Sequence, residues 1–302
     1  MKNEYSQDDL IYFEPCKDSI VAIDSDGCVF ATMDVKQREH FHPLIIDIWG
    51  LERIESQLRE VAEFINLYSA YRGQNRFLAL LLTFQLLRQR ADVAASGVRL
   101  PSTASLQAYC DSGLPLGNPS LEAEVGRTGD SELARILEWS LAVNESIDQR
   151  MAPVKPFEWA LKALELIAER SDAIVVSQTP EEALVKEWNQ HGLSDYVSVI
   201  AGQELGTKAE HLALVMKDRY QSDQVLMIGD APGDMRAAQK VGACFYPIRP
   251  RHEEESWRRF CESEYQLFLD GGFDSEHQEE LCEEYSSELP TTPPWNHGSQ
   301  SH

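Results

Sequence analysis

Two kinds of hydrophobic patterning divide this chain. Between residues 173 and 248, short apolar runs alternate with amphipathic ones. "AIVVS" (173–177), "YVSVIAG" (196–202), "QVLMIGD" (224–230) and "ACFYPI" (243–248) are nearly free of charge and too short for helices. They read as buried strands. The segments between them have helical signals. "PEEALVKEWNQHG" (180–192) opens on proline, carries acids in its first turn and ends on glycine. "TKAEHLALVMKDRY" (207–220) spaces Leu212, Val215 and Met216 for one helix face, and "PGDMRAAQKVG" (232–242) is a shorter helix. An isolated apolar run near the start, "IVAIDSDGCVF" (20–30), reads as one more strand. Strands alternating with helices imply an α/β fold with a parallel sheet and helices on both faces.

From about residue 34 to residue 150 the alternation stops. "SQLREVAEFINLYSAYRG", "NRFLALLLTFQLLRQRADV" and "SELARILEWSLAVNESI" read as amphipathic helices, with "SGLPLGNPS" a turn-rich break among them. "PFEWALKALELIAER" (156–170) returns to the core as a helix. Beyond residue 250 the chain is acidic and helical, with Trp257, Phe260, Leu267 and Phe268 at near-helical spacing for packing on the core. It closes on a proline-rich end expected to be loose. The expected organisation is therefore a core of 1–33 and 151–250, a helical insert of 34–150, and a C-terminal helical extension and loose tail of 251–302.

In open parallel sheets, ligands sit beyond the carboxyl ends of the strands. Asp24, Ser177 and Asp230 each stand at such an end. One polar strand ending is ordinary turn chemistry, but three on one sheet edge point to a site. The first strand ends on Asp24 and Asp26, two carboxylates close together. Like charges about 4 Å apart at an effective dielectric of about 20 repel by about 4 kcal/mol. A divalent cation or a shared proton offsets such a cost.

Composition narrows the partners. The 302 residues are 43% hydrophobic, enough for a sizeable core. The formal net charge of −23 argues against a nucleic acid or an anionic membrane as partner, because both need clustered Lys and Arg. None of the six cysteines forms a CxxC pair, the first ten residues are polar, and "FLALLLTFQLLRQR" is too short to span a bilayer. These features read as a cytoplasmic protein with reduced thiols.

Four segments in order resemble the motifs of the haloacid dehalogenase-like superfamily of phosphohydrolases: "DSDG" (24–27), "VVS" ending at Ser177, Lys208 in "GQELGTKAEH", and "IGDAPGD" with Asp230 and Asp234. The resemblance covers roughly residues 18–34 and 150–248. It implies a Rossmann-like parallel core, with the insert as a helical cap. It also implies a Mg2+-dependent phosphatase acting on a small phosphorylated metabolite, in the manner of phosphoglycolate phosphatase-like enzymes. By that resemblance Asp24 is the nucleophile that takes the phosphoryl group, and Asp26 the general acid and base. Asp24, Asp230 and a backbone carbonyl at Asp26 would hold the metal. Ser177, Gln178 and Lys208 would bind phosphate, with Asp234 and Gly27 in support. Asp26 also separates the chain from the family's dehalogenases and phosphonate-cleaving members, which do not keep aspartate there. Cys28 stands where many members carry Thr or Val.

Plainer readings exist for each residue: a strand-ending turn for Asp24 and Asp26, a residue ahead of a helix for Ser177, a surface lysine for Lys208 with Lys217 as its competitor, and a helix first-turn charge for Asp234. In the insert, Lys36, Arg72, Asn75 and Arg76 are candidates for meeting the leaving group, with Gln74 and His40 nearby and Lys155 where the chain re-enters the core. The run "YRGQNR" also reads as an ordinary helix–helix loop. Two other functions use the same residues: a phosphomutase or phosphotransferase with the same intermediate, and a binding module that keeps the fold without catalysis.

Overall fold

A computed structural model describes residues 4–295. Within them the chain forms two compact units, one of 4–32 with Pro153–Leu289 and the other of Met33–Ala152 with 290–295. Residues 296–302, part of the end expected to be loose, lie outside the described residues.

The first unit is built on five parallel strands: β1 (Ile20–Ile23), β2 (Asp172–Val176), β3 (Val199–Ala201), β4 (Val225–Gly229) and β5 (Cys244–Pro247). They lie in the order β3-β2-β1-β4-β5, with β1 at the centre. The apolar runs of the sequence become these strands, and every strand residue is buried. Continuous apolarity follows from covering both faces, as parallel sheets require. Alternate residues still point opposite ways. Val21, Ile23, Val175, Ile228 and Tyr246 pack with helices Glu158–Arg170 and Glu181–Gln190 on one face. Ile20, Ala22, Ile174, Met227 and Phe245 pack with Leu212, Val215, Ala237 and Ala238 on the other, from helices Lys208–Met216 and Pro232–Val241.

The C-terminal helices complete this unit. Glu253–Arg259, a π-helical stretch Phe260–Glu264 and Tyr265–Leu269 run on without a break, then Ser275–Ser287 follows. Trp257, Phe260 and Phe268 are buried in the first face, as their spacing suggested; Leu267 is instead partly exposed. Helix Ser275–Ser287 covers the edge strand. Gln278 accepts from Phe245 N at 2.7 Å and donates to Phe245 O at 3.2 Å, so its amide stands in for a missing strand neighbour.

The second unit is helical, with no strand among its described residues. Helices Glu55–Leu67, Arg76–Gln89 and Ser131–Arg150 correspond to the amphipathic segments of the sequence, and Asn118–Thr128 follows the turn-rich break. Phe77, Leu80, Phe84, Trp139 and Val143 are at its centre. Residues 290–295 are not loose. Ala70 N donates to Pro290 O at 3.3 Å, the Trp295 ring meets Phe64 at 5.5 Å between centroids, and the Arg90 guanidinium lies 4.8 Å above Trp295. Aromatic area and a cation–π contact offset the entropy of ordering the segment.

All six cysteines are free. No helix of the described residues is long and apolar enough to cross a membrane.

Two buried polar groups give stability tests. Asp172 Oδ2 accepts from Cys16 N at 2.8 Å, Lys17 N at 2.9 Å and Tyr220 Oη at 2.7 Å, tying the chain ahead of β1 to β2. Asp172→Ala strands these donors and is expected to cost about 2–4 kcal/mol in urea unfolding. In the second unit, neither ring nitrogen of buried His42 has a hydrogen-bond partner among the described residues. Burial, with Arg59 and Arg38 nearby, lowers its pKa from 6.5 to about 3. The unfolded chain then binds the extra proton first, so His42 withdraws stability as pH falls from about 6.5 towards 3. His42→Leu should flatten that part of the stability curve, measured by urea unfolding across the range.

Candidate active site

The sheet register brings the motifs together. Ile23 pairs with Val175 of β2 and with Ile228 of β4. The residues that follow, Asp24, Ser177 and Asp230, therefore leave the sheet on one edge. Asp24 N extends the ladder to Ile228 O at 2.9 Å, and Ser177 N reaches Ala201 O at 3.0 Å.

Lys208 is the first residue of its helix. Thr207 caps that helix, accepting from Glu210 N, while Glu210 accepts from Thr207 N at 2.7 Å. The cap points Lys208 at the strand ends. Its Nζ lies 2.9 Å from Asp24 Oδ1 and 2.5 Å from Asp234 Oδ1. Asp234 is fully buried in the first turn of its helix, and its Oδ2 accepts from Ala231 N at 3.0 Å. A Cβ at Gly229 would come within 2.4 Å of the Asp234 side chain, so only glycine fits before Asp230. Lys217, the sequence competitor, ends this helix as its C-cap.

Asp24, Asp230 and Asp234 are all buried, with carboxylate oxygens within 4.8 Å of one another. The part expected of Asp26 at a metal is its backbone carbonyl, not its carboxylate. The Asp26 carboxylate is engaged elsewhere: Thr179 Oγ1 donates to Oδ2 at 2.6 Å, and Thr32 Oγ1 donates to Oδ1. Asp26 is half-buried, and Gly27 after it has φ 81°, the left-handed conformation that glycine adopts without strain. Burial raises the Asp24 pKa well above the carboxylate range; Lys208 opposes the rise, while Asp234 and Asp230 add to it. Burial lowers the Lys208 pKa, but Asp234 and Asp24 outweigh burial and the net shift is upward. As carboxylates, the trio carries more negative charge than one ammonium balances. The donors are all oxygen, which suits a hard cation such as Mg2+.

Ser177 is buried, and its Oγ accepts from Thr179 N at 3.2 Å, which leaves the hydroxyl proton available to donate. Gln178 is exposed, and its side-chain amide bonds to the backbone. Nε2 donates to Ser177 O at 3.3 Å and to Gly206 O at 3.1 Å, tying the β2 loop to the turn before Lys208.

The candidates in the insert have structural work within their own unit. Arg72 is 2% exposed and donates to Leu67 O at 2.8 Å. Asn75 caps helix Arg76–Gln89, accepting from Phe77 N at 2.9 Å and donating to Leu116 O at 2.8 Å. Arg76 donates to Ser140 O, Ser140 Oγ and Asn144 Oδ1, and its guanidinium lies over Phe41. The run "YRGQNR" is thus a packed helix junction whose donors turn inward. Lys36 opens a π-helical segment, Lys36–Phe41, in which buried His40 shares a hydrogen bond with Ser146.

Sequence reasoning missed several contributors. Thr32 and Thr179 hold Asp26, and Trp188 Nε1 donates to Ser25 Oγ at 3.0 Å. Trp257 Nε1 donates to Cys28 O at 2.8 Å, and Tyr285 Oη to Asp230 O at 2.8 Å. Thr179 could have been found, two residues past Ser177 at the same sheet edge. The aromatic residues carry no local signal that separates them from core.

The model of the haloacid dehalogenase-like hydrolase family matches residues 115–247, the span that carries Ser177, Lys208, Asp230 and Asp234. No curated protein matches the chain. Among solved structures, the chain is similar to a haloacid dehalogenase-like family hydrolase from Xanthomonas campestris, at 12% identity, covering 86% of this chain and 95% of that one with a TM-score of 0.47. It is also similar to a haloacid dehalogenase-like family protein from Streptococcus pneumoniae, at 11% identity, 80% and 90% coverage and a TM-score of 0.42. A third is a HAD-superfamily hydrolase of subfamily IA from Geobacter sulfurreducens, at 15% identity, 76% and 86% coverage and a TM-score of 0.39.

Lys208→Met would leave Asp24 and Asp234 buried without their ammonium. Loss of one partner from a buried ion cluster is expected to cost about 3–5 kcal/mol. Urea unfolding of wild type and variant, each with chelator and with Mg2+, should show the larger gain from the metal in the variant.

Proposed function

We propose that the protein is a Mg2+-dependent phosphohydrolase that cleaves a small phosphorylated metabolite through an aspartyl-phosphate on Asp24. One observation carries the reading: Asp24 shares a buried cluster with Lys208, Asp230 and Asp234, while two hydroxyls hold the neighbouring Asp26 apart from it. Phosphate-ester hydrolysis has a very large uncatalysed barrier, and a carboxylate nucleophile divides it into two smaller ones.

Asp24 and Asp230, with the backbone carbonyl of Asp26, would hold the metal. When bound, Mg2+ supplies positive charge where an anionic carboxylate must approach an anionic phosphate. Asp234 has one oxygen on Lys208 and the other on Ala231 N, so its part is to aim the lysine. Lys208 counters charge on the transferring group, and the Ser177 hydroxyl donates to a phosphoryl oxygen.

In the first step an Asp24 oxygen bonds to phosphorus and the ester P–O bond breaks. Asp26 gives its proton to the departing alkoxide. In the second, Asp26 takes a proton from water as the water oxygen bonds to phosphorus. The bond between phosphorus and Asp24 then breaks, releasing inorganic phosphate and restoring the free carboxylate. Thr32 and Thr179 keep Asp26 oriented for both transfers.

The test is phosphate release from a panel of small phosphate esters, with Mg2+ and with chelator. Activity should require the metal, fall to background in Asp24→Asn, and drop about 10²- to 10³-fold in kcat for Lys208→Met. A panel that stays silent although the metal binds, or phosphoryl transfer to an acceptor without free phosphate, would overturn the hydrolase reading.

A further inference from the structure

The last residues of the first unit reach the site from a helix that none of the four motifs includes. Tyr285, on helix Ser275–Ser287, is fully buried, and its hydroxyl donates to the backbone carbonyl of Asp230 at 2.8 Å, 55 residues away in sequence. The N–H of the same peptide, on Ala231, donates to Asp234 Oδ2 at 3.0 Å. Both polar ends of the Asp230–Ala231 peptide are therefore held by side chains. The neighbouring groups are held too: Ile228 O accepts from Asp24 N at 2.9 Å, and Gly229 O accepts from Ile248 N at 2.8 Å. Past the end of β4, Tyr285 supplies the bond that the ladder no longer can.

Tyr285 is itself fixed. Its ring meets Phe245 edge-on at 6.1 Å between centroids, and Gln278, about two turns earlier on the same helix face, is bonded to both polar groups of Phe245. On the exposed side of the helix, Glu284 accepts from Arg249 and from Arg259, each at 2.8 Å. The hydroxyl therefore arrives from a braced element, as a precise site requires.

We infer that Tyr285 is a positioning residue: by holding the Asp230 carbonyl it sets the direction of the Asp230 carboxylate within the cluster with Asp24 and Asp234. The inference rests on the proposed reading of Asp24 and Asp230 as metal ligands. It gives the C-terminal helices a part in the site as well as in the core.

Tyr285→Phe removes the hydroxyl and keeps the ring on Phe245. Mn2+ serves as the probe, read by its electron paramagnetic resonance spectrum, beside amide hydrogen exchange of the same proteins. The variant should bind Mn2+ about three- to tenfold more weakly, the equivalent of one lost hydrogen bond. Amides of residues 229–234 should exchange faster, with those of β1 and β2 unchanged. A purely structural tyrosine would lower the unfolding midpoint and move neither signal. Equal Mn2+ affinity and equal exchange at 229–234 would overturn the inference while leaving the functional reading in place. A wild type that binds no Mn2+, with Asp230→Asn giving the same null result, would overturn the functional reading and this inference with it.

Discussion

Lys208 stands between Asp24 at 2.9 Å and Asp234 at 2.5 Å, in a place that water barely reaches. Three carboxylates around one ammonium in a buried site are costly unless every charge is matched. Much of the surrounding structure follows from that constraint. The Thr207–Glu210 cap aims the lysine, the bare backbone of Gly229 makes room for Asp234, and β1 lies against β4 so that Asp24 and Asp230 emerge together. Burial pushes the Asp24 carboxyl pKa up, and Lys208 opposes the rise. An oxygen-lined cluster still short of positive charge is suited to a hard divalent ion.

Asp26 is kept out of this competition. Its carboxylate is hydrogen-bonded to Thr32 and Thr179 and remains half-buried. Two aspartates separated by a single residue thus occupy different electrostatic environments. The left-handed Gly27 supports the separation by turning the chain just after Asp26.

The strands, the helices between them and the catalytic candidates at the strand ends were legible because each depends on local pattern. Apolar runs of four to seven residues, a helix opened by proline and closed by glycine as in 180–192, and an aspartate after an apolar run all announce themselves within a few positions. Less legible were residues whose part depends on distant contacts. Arg72, Asn75 and Arg76 look like a polar loop offered to solvent, yet their donors satisfy carbonyls and side chains inside the helical unit. Trp295 lies in a proline-rich end that reads as loose, and it is ordered by Phe64 and Arg90. Trp257 reads as a core aromatic and Tyr285 carries no local signal, and their polar tips become informative only when the carbonyls they meet are known.

By itself the sequence determined the parallel α/β class, the helical nature of the insert and the placement of Asp24, Ser177 and Asp230 on one edge, because strand period and chain direction decide these before any packing occurs. Tertiary structure decided which carboxylates meet, that Asp234 rather than the Asp26 side chain joins Asp24 and Asp230, and that the C-terminal helices brace the loop carrying Asp230. The physical reason is range. Periodicity and capping act over a few residues, whereas a buried charge or an unpaired carbonyl takes its partner from whatever part of the chain the fold brings within about 3 Å.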